Sequence, residues 1–204
     1  MYRAVGLMAL RAGIRPPLDP ETDGMRVARL AEGRLRLEPG SQRMTVWVDG
    51  IDVTDEIRSP ECSAMASAVS ALSEVRQALV PEQRKMVILR GGVMEGRDIG
   101  SVVFPDAILK VFLTASGQIR ANRRFDELVQ RGLDVTLERV FKDQEERDLR
   151  DSTREDSPLQ VASGAIVVDT SGLTLDSVVE RLVSLFFEVW EPDFSVMAGN
   201  SEEK

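Results

Sequence analysis

The 204-residue sequence contains no histidine and only one cysteine, Cys62. Without histidine, neither imidazole catalysis nor a histidine-ligated metal is available. A single cysteine excludes an intramolecular disulfide and suits a reducing compartment, so we expect a cytoplasmic protein. No apolar run approaches the roughly 20 residues of a membrane-spanning helix, and the first residues lack the pattern of a secretory signal, so we expect no membrane association.

Lysine is also scarce, since only four of the 26 basic residues are lysines and the remainder are arginines. The net charge of −8 and the pI near 4.8 argue against a protein that coats nucleic acid, which would carry a basic stripe. They do not argue against a small anionic ligand, because a few local arginines decide such binding. A hydrophobic fraction of 43% is sufficient for the core of one domain, here residues 1–190, followed by a polar tail over 191–204.

Short apolar strands alternate with longer helices along the chain, which predicts a parallel sheet covered by helices. Alternating polar and apolar residues predict a hairpin over 34–37 and 45–48, and continuous apolar runs predict buried strands over 109–113 and 165–168. Helices are predicted over residues 2–12, 20–31, 60–70, 73–85, 118–131, 136–151 and 176–187, with Thr136 as a cap.

Arginine and aspartate recur together in two places. The stretch Gly96-Arg97-Asp98-Ile99-Gly100 follows a short apolar run, and Arg147, Asp151 and Arg154 share one face of the long charged helix. Each pattern also has a purely structural interpretation: a turn whose glycines adopt positive φ, and exposed ion pairs on a solvated helix. Arginine grips phosphate oxygens and aspartate accepts from sugar or base donors, so together they indicate a nucleotide pocket.

Ordered stretches of the chain resemble the bacterial cytidylate kinases along nearly the whole length. The matching segments are Met1-Tyr2-Arg3-Ala4-Val5, Val48-Asp49-Gly50 with Ile57-Arg58-Ser59-Pro60-Glu61, Ala66-Ser67 to Val75-Arg76, Gly96-Arg97-Asp98-Ile99-Gly100 with Val102 to Ala107, Arg147 to Arg154 with Ser157-Pro158-Leu159, and residues 165–173. The resemblance implies an α/β fold of the P-loop nucleoside-monophosphate-kinase type, with residues from about 14 to 60 forming a small nucleotide-binding insert.

The resemblance also implies an activity and roles for eight residues. ATP, with Mg²⁺, would phosphorylate CMP or dCMP in a monomer that binds neither nucleic acid nor membrane. The resemblance implies that four arginines hold the acceptor and transferring phosphates. Arg3 would bind the substrate, and Arg97, Arg147 and Arg154 would be catalytic. Ser67, Arg76 and Asp98 would read cytosine, and Asp151 would hold a sugar hydroxyl. The resemblance further predicts that residues 86–88 end a helix and that residues 92–95 form a strand.

The chemistry of cytosine agrees with these roles. Its N4 amino group is a donor that Asp98 can accept, and its N3 and O2 atoms are acceptors that Arg76 can satisfy. Uracil presents an acceptor at position 4, which would leave the Asp98 carboxylate without a donor. The resemblance therefore predicts a strong preference for CMP over UMP.

One expected feature of the family is absent from this sequence. No Gly-x-x-x-x-Gly-Lys-[Ser/Thr] phosphate loop occurs in the 204 residues, and the strands expected around it are missing as well. A start assigned too late is the simplest interpretation, and a real truncation is the other. Three hypotheses follow: a kinase recorded incompletely, a non-catalytic CMP-binding protein, and an unstable fragment.

Overall fold

The computed structural model describes residues 1–40, 43–88 and 91–190 as a helix-rich α/β arrangement. The tail predicted over 191–204 lies outside the described residues. The helices are α1 Tyr2–Arg11, α2 Pro20–Ala31, α3 Pro60–Val69, α4 Ser73–Ile88, α5 Gly117–Gln130, α6 Leu137–Thr153 and α7 Leu175–Val189. The strands are β1 Leu35–Pro39, β2 Met44–Val48, β3 Ile51–Asp52, β4 Val111–Thr114 and β5 Ile166–Asp169, with short helical turns at Glu56–Arg58 and Ile99–Val103.

Several helices begin at a side chain that caps their free backbone N–H groups. Ser59 accepts from the backbone of Cys62 at the start of α3, and Thr136 accepts from Arg139 at the start of α6. The predicted helix starts therefore lie within one or two residues of the observed ones. The end predicted from the resemblance at residues 86–88 is confirmed too, because α4 runs to Ile88.

The main core lies among α1, α2, α3 and α4. Val5, Met65, Val69 and Val75 are almost completely buried there. Gly6 lets α1 approach α3 closely, because a Cβ atom on Gly6 would lie 3.1 Å from the backbone nitrogen of Ala66. This packing fixes α1 against α3, so that residues near the start of α1 face the later half of α3.

We expect Gly6→Val to lower the free energy of unfolding by about 1–3 kcal/mol, because overpacking a closely packed helix pair forces the backbone apart. Urea unfolding followed by circular dichroism measures the change. Gly172→Val is the matched control, since nothing lies within 4 Å of a Cβ at that position. Equal stability of the two variants would show that the α1–α3 approach tolerates a side chain.

The strands form two separate sheets. β1, β2 and β3 form an antiparallel sheet with Leu35 opposite Val48, which confirms the predicted hairpin. β4 and β5 form a parallel pair with Val111 opposite Ile166, which confirms a parallel element but with only two strands among the described residues. The strand expected over 92–95 is wrong: residues 91–95 are irregular, because no described strand pairs with them.

The expected burial of β4 and β5 is also wrong. Leu113 is 49% exposed and Val167 is 55% exposed, whereas Val168 is buried. The physical reason is that a sheet face is buried only where another layer packs on it, and no helix of the described residues contacts β4 or β5 extensively. Among the helices of the described residues, none has the length and apolar character needed to cross a membrane.

Candidate functional site

The eight predicted site residues form one cluster of side chains, contributed by α1, α3, α4, α6 and the turn before Ile99. We refer to this cluster as the cleft. The second half of α6 forms its centre. The earlier part of α6 carries exposed ion pairs such as Arg139 with Asp143, which fit the interpretation of a solvated helix face. Asp151, two turns later, is only 2% exposed. The interpretation of α6 as a solvated face therefore fails at Asp151.

Asp151 contacts three other side chains of the cleft, two of which belong to other elements. Its Oδ2 atom lies 3.4 Å from Nε of Arg97 and 3.6 Å from Nε of Arg147. Its Oδ1 atom accepts a hydrogen bond from the Ser67 hydroxyl at 3.4 Å. The carboxylate therefore orients two predicted phosphate-binding arginines from one side and contacts α3 on the other.

A buried ion pair between Arg76 and Asp98 forms the other end of the cleft. Their side chains are 3% and 7% exposed, and Nη2 of Arg76 donates to Oδ2 of Asp98. Arg154 approaches the second oxygen of Asp98 at 3.9 Å, while its other nitrogens donate to the backbone carbonyls of Ser157 and Ser70. A buried pair of this kind is conspicuous because the desolvation of both charges is costly.

The arginines around Asp151 repel one another. Burial, and then the positive charge of Arg97, lowers the pKa of Arg147 below its ordinary value, and Arg3 adds to the effect. Burial, and then the charge of Arg124, lowers the pKa of Arg3 as well. Because burial, and then neighbouring positive charge, disfavours the protonated arginines, an anion bound beside them would stabilise their charged form.

Several buried polar atoms in the cleft have no hydrogen-bond partner among the described residues. They are Nε of Arg76, Nε of Arg147, Oδ2 of Asp151, Nη2 of Arg154 and the hydroxyl of Tyr2. Buried polar groups are normally paired in folded proteins. Their concentration in one cleft, with donors and an acceptor intermixed, is what a site for a polar ligand requires.

The glycines beside Arg97 and Asp98 do not act as the turn interpretation assumed. Among the described residues, neither Gly96 nor Gly100 has positive φ. A Cβ on Gly96 would instead lie 2.7 Å from the Ile99 side chain, and one on Gly100 would lie 3.3 Å from Lys110. These glycines therefore permit close packing, which holds the Arg97-Asp98 backbone against its surroundings.

Four charged residues of the cleft were missed by the sequence interpretation. Asp148 accepts from Arg97 at 3.3 Å on one oxygen and from Arg120 on the other. Arg150 donates to the Ser67 hydroxyl at 2.8 Å, and Asp156 lies 3.7 Å from Nε of Arg76. Asp148 could have been predicted from the sequence, because it adjoins Arg147 in the motif. Nothing in the sequence indicates that its partner on α5 is Arg120.

A cavity of about 480 Å³ adjoins the carboxyl ends of β4 and β5. Its lining includes Ala115, Arg120, Thr170 and Leu173. Arg120 on the cavity wall and Arg97 in the cleft both donate to the Asp148 carboxylate, so this carboxylate links the cavity to the cleft. The carboxyl edge of a parallel sheet is a common location for ligands in α/β proteins.

Comparison with known proteins gives a consistent result. The family model described as cytidylate kinase matches residues 1–188. A cytidylate kinase of Caldicellulosiruptor bescii is 42% identical over 189 residues, which cover 93% of this chain and 82% of the relative. Cytidylate kinases of Desulforamulus reducens and Desulfitobacterium hafniense are 45% and 46% identical, over 90% and 91% of this chain and 81% and 78% of their own lengths.

Proposed function

Because the chain belongs to the cytidylate kinase family, we propose that its cleft binds CMP or dCMP and accepts the γ-phosphoryl group of ATP. The observation that supports this proposal most strongly is the buried Arg76–Asp98 pair. A donor and an acceptor held side by side in a buried site match the edge of cytosine, which offers N4 as a donor and N3 and O2 as acceptors. The relatives are themselves described as kinases, which favours the enzyme over a non-catalytic CMP-binding protein.

The base and the phosphate occupy opposite ends of the cleft in this proposal. Asp98 accepts from the cytosine amino group, Arg76 donates to the ring acceptors, and Ser67 completes the base subsite. Asp151 accepts from a sugar hydroxyl through its Oδ2 atom, which lies in ion pairs with Arg97 and Arg147 but has no hydrogen-bond partner among the described residues. Arg3, Arg97 and Arg147 receive the phosphate, whose negative charge compensates for the burial, and then the neighbouring positive charge, that lowers the pKa values of Arg3 and Arg147.

Phosphoryl transfer requires positioning and charge neutralisation more than covalent work by the protein. Arg97 and Arg147 supply positive charge for the transferring group. We retain the same role for Arg154 as a proposal, although Arg154 lies 3.9 Å from Asp98 at the base end of the cleft. Mg²⁺ would arrive with ATP and neutralise its phosphates, since the described residues contain no group of three acidic or thiol side chains able to hold a cation. The sequence contains no Gly-x-x-x-x-Gly-Lys segment, so the proposal assigns no residue of this chain to a phosphate loop.

The donor nucleotide is placed in the cavity at the ends of β4 and β5. Arg120 lies on the wall of that cavity and shares Asp148 with Arg97, so the donor and acceptor phosphates would meet across these three side chains. The domain is proposed to be of the P-loop nucleoside-monophosphate-kinase type. The separate antiparallel sheet β1–β3 supports a nucleotide-binding insert within residues 14–60. We also retain the proposals of a cytoplasmic, monomeric enzyme.

We expect Arg120→Ala to raise the KM for ATP about 10-fold and to change the KM for CMP less than about 2-fold, because it removes a charged contact on the donor side. Steady-state kinetics with each substrate varied in turn make this test. Arg139→Ala is the control, since Arg139 pairs with Asp143 on the exposed side of α6 and does not line the cavity. An equal rise in both KM values would mean that Arg120 supports the structure as a whole and does not bind the donor nucleotide.

The function itself is tested by an ADP-release assay with ATP and a panel of nucleoside monophosphates. The proposal predicts turnover with CMP and dCMP far above that with UMP, AMP or GMP. Equal turnover with all of them, or turnover with none, would contradict it.

A further inference from the structure

The phenol of Tyr2 is a buried polar group of the cleft to which the proposed function assigns no role. Tyr2 opens α1, immediately before Arg3. Its hydroxyl is buried and has no hydrogen-bond partner among the described residues. A hydroxyl that gives up its contacts with water without gaining another partner destabilises the folded protein, so its retention in a binding cleft calls for a ligand.

The surroundings of the phenol are those of the base subsite. The guanidinium carbon of Arg76 lies 5.9 Å from the centre of the Tyr2 ring, within the range of a cation–π contact. The charged groups that act on the hydroxyl are Arg76, Asp98, Arg154 and Asp156. Two of these are the proposed cytosine-reading residues, and Asp156 lies beside Arg76. The phenol therefore adjoins the proposed cytosine edge.

We propose that Tyr2 is a further base-recognition residue, whose ring supports the Arg76 guanidinium and whose hydroxyl donates a hydrogen bond to an acceptor on the bound pyrimidine. This inference rests on the proposed function, because it places the cytosine between Arg76 and Asp98. In the free protein these two side chains pair with each other next to the phenol. When the base separates them, it takes their place beside the hydroxyl.

The protonation state of the phenol suits a donor. Burial raises the pKa of Tyr2 to about 12, and the nearby Asp98 carboxylate acts in the same direction against the opposing effect of Arg76. The hydroxyl consequently keeps its proton throughout the neutral range. It can donate to a ring nitrogen or carbonyl oxygen, which are the acceptors that cytosine presents.

The test is isothermal titration calorimetry of CMP into the 204-residue chain and its Tyr2→Phe variant. We expect the variant to raise the Kd for CMP about 3- to 10-fold, the range for loss of one neutral hydrogen bond. Its thermal midpoint without CMP should stay equal or rise, because phenylalanine removes a buried hydroxyl that has no partner among the described residues. Tyr2→Leu should weaken CMP further, since it also removes the ring beneath Arg76.

Two controls separate base recognition from a structural effect. Ribose 5-phosphate, which lacks the base, should bind wild type and Tyr2→Phe equally. Trp47→Phe removes another buried N–H without a partner among the described residues, in β2, and should leave the Kd for CMP unchanged. If Tyr2→Phe raises the Kd for CMP and the Kd for ribose 5-phosphate by the same factor, Tyr2 has a structural role and the inference is overturned.

The remaining outcomes are distinguishable as well. An unchanged Kd for CMP in Tyr2→Phe, with wild type binding CMP normally, would overturn the role of Tyr2 and leave the proposed function intact. Failure of wild type itself to bind CMP would overturn both.

Discussion

Replacement of Asp98 by alanine is expected to reduce the preference for CMP over UMP, measured as the ratio of kcat/KM values, by about 100-fold or more. Asp98 is the only proposed acceptor for the cytosine amino group, and in wild type it faces the uracil carbonyl oxygen unfavourably. Its removal abolishes both the attraction for CMP and the rejection of UMP. The same ratio can be obtained from competition between the two nucleotides in a single reaction.

The alanine variant also leaves Arg76 and Arg154 without their shared carboxylate, so part of its effect could come from altered folding. Asp98→Asn separates the two contributions, because it keeps the shape and can present an amide N–H to uracil O4. We expect this variant to shift the preference toward UMP relative to wild type. Unchanged selectivity in both variants would exclude Asp98 from base recognition.

The second large effect is expected at Arg147. Arg147→Ala should lower kcat by about 100- to 1000-fold, the range for loss of one group that stabilises transition-state charge. Its stability should change little, by less than about 1 kcal/mol, because burial and the neighbouring Arg97 already oppose the charge of this guanidinium in the free protein. Single-turnover kinetics at saturating CMP and ATP measure the first quantity, and urea unfolding measures the second.

Arg139→Ala provides the matched control, because Arg139 lies two turns earlier on the same helix and its side chain is 79% exposed. That variant should retain the wild-type kcat. A large loss of stability in Arg147→Ala with an unchanged kcat would mean that Arg147 holds α6 in place and does not serve the reaction. Comparing the change in kcat with the change in the free energy of unfolding therefore decides whether Arg147 is catalytic or structural.

The local structure was predictable where the chain carries its own signals. Caps such as Ser59 and Thr136 mark helix starts by bonding to backbone N–H groups a few residues later. The helical spacing of Arg147, Asp151 and Arg154 indicated one face, and the structure places Asp151 on it among the predicted arginines. These inferences needed only contacts within one element or one motif.

Features that depend on contacts between distant elements were not predictable in the same way. The apolar character of 109–113 suggested burial, but exposure depends on what covers the strand, and Leu113 remains half exposed. The pairing of Asp148 with Arg120 joins α6 to α5, 28 residues apart, and no periodicity reports it. The alternative interpretation of residues 96–100 as an ordinary turn requires positive φ at its glycines, whereas the structure uses these glycines for close contacts with Ile99 and Lys110.

The central claim is that the Arg76–Asp98 pair reads the edge of cytosine, and calorimetric titration of the unmodified chain with CMP and with UMP tests it most directly. The titration contains no phosphoryl donor, so the measurement isolates the acceptor cleft. The account predicts one site for CMP, with UMP bound at least about 100-fold more weakly because it leaves the carboxylate unpaired. Equal affinity for the two nucleotides, or no binding of either, would contradict it.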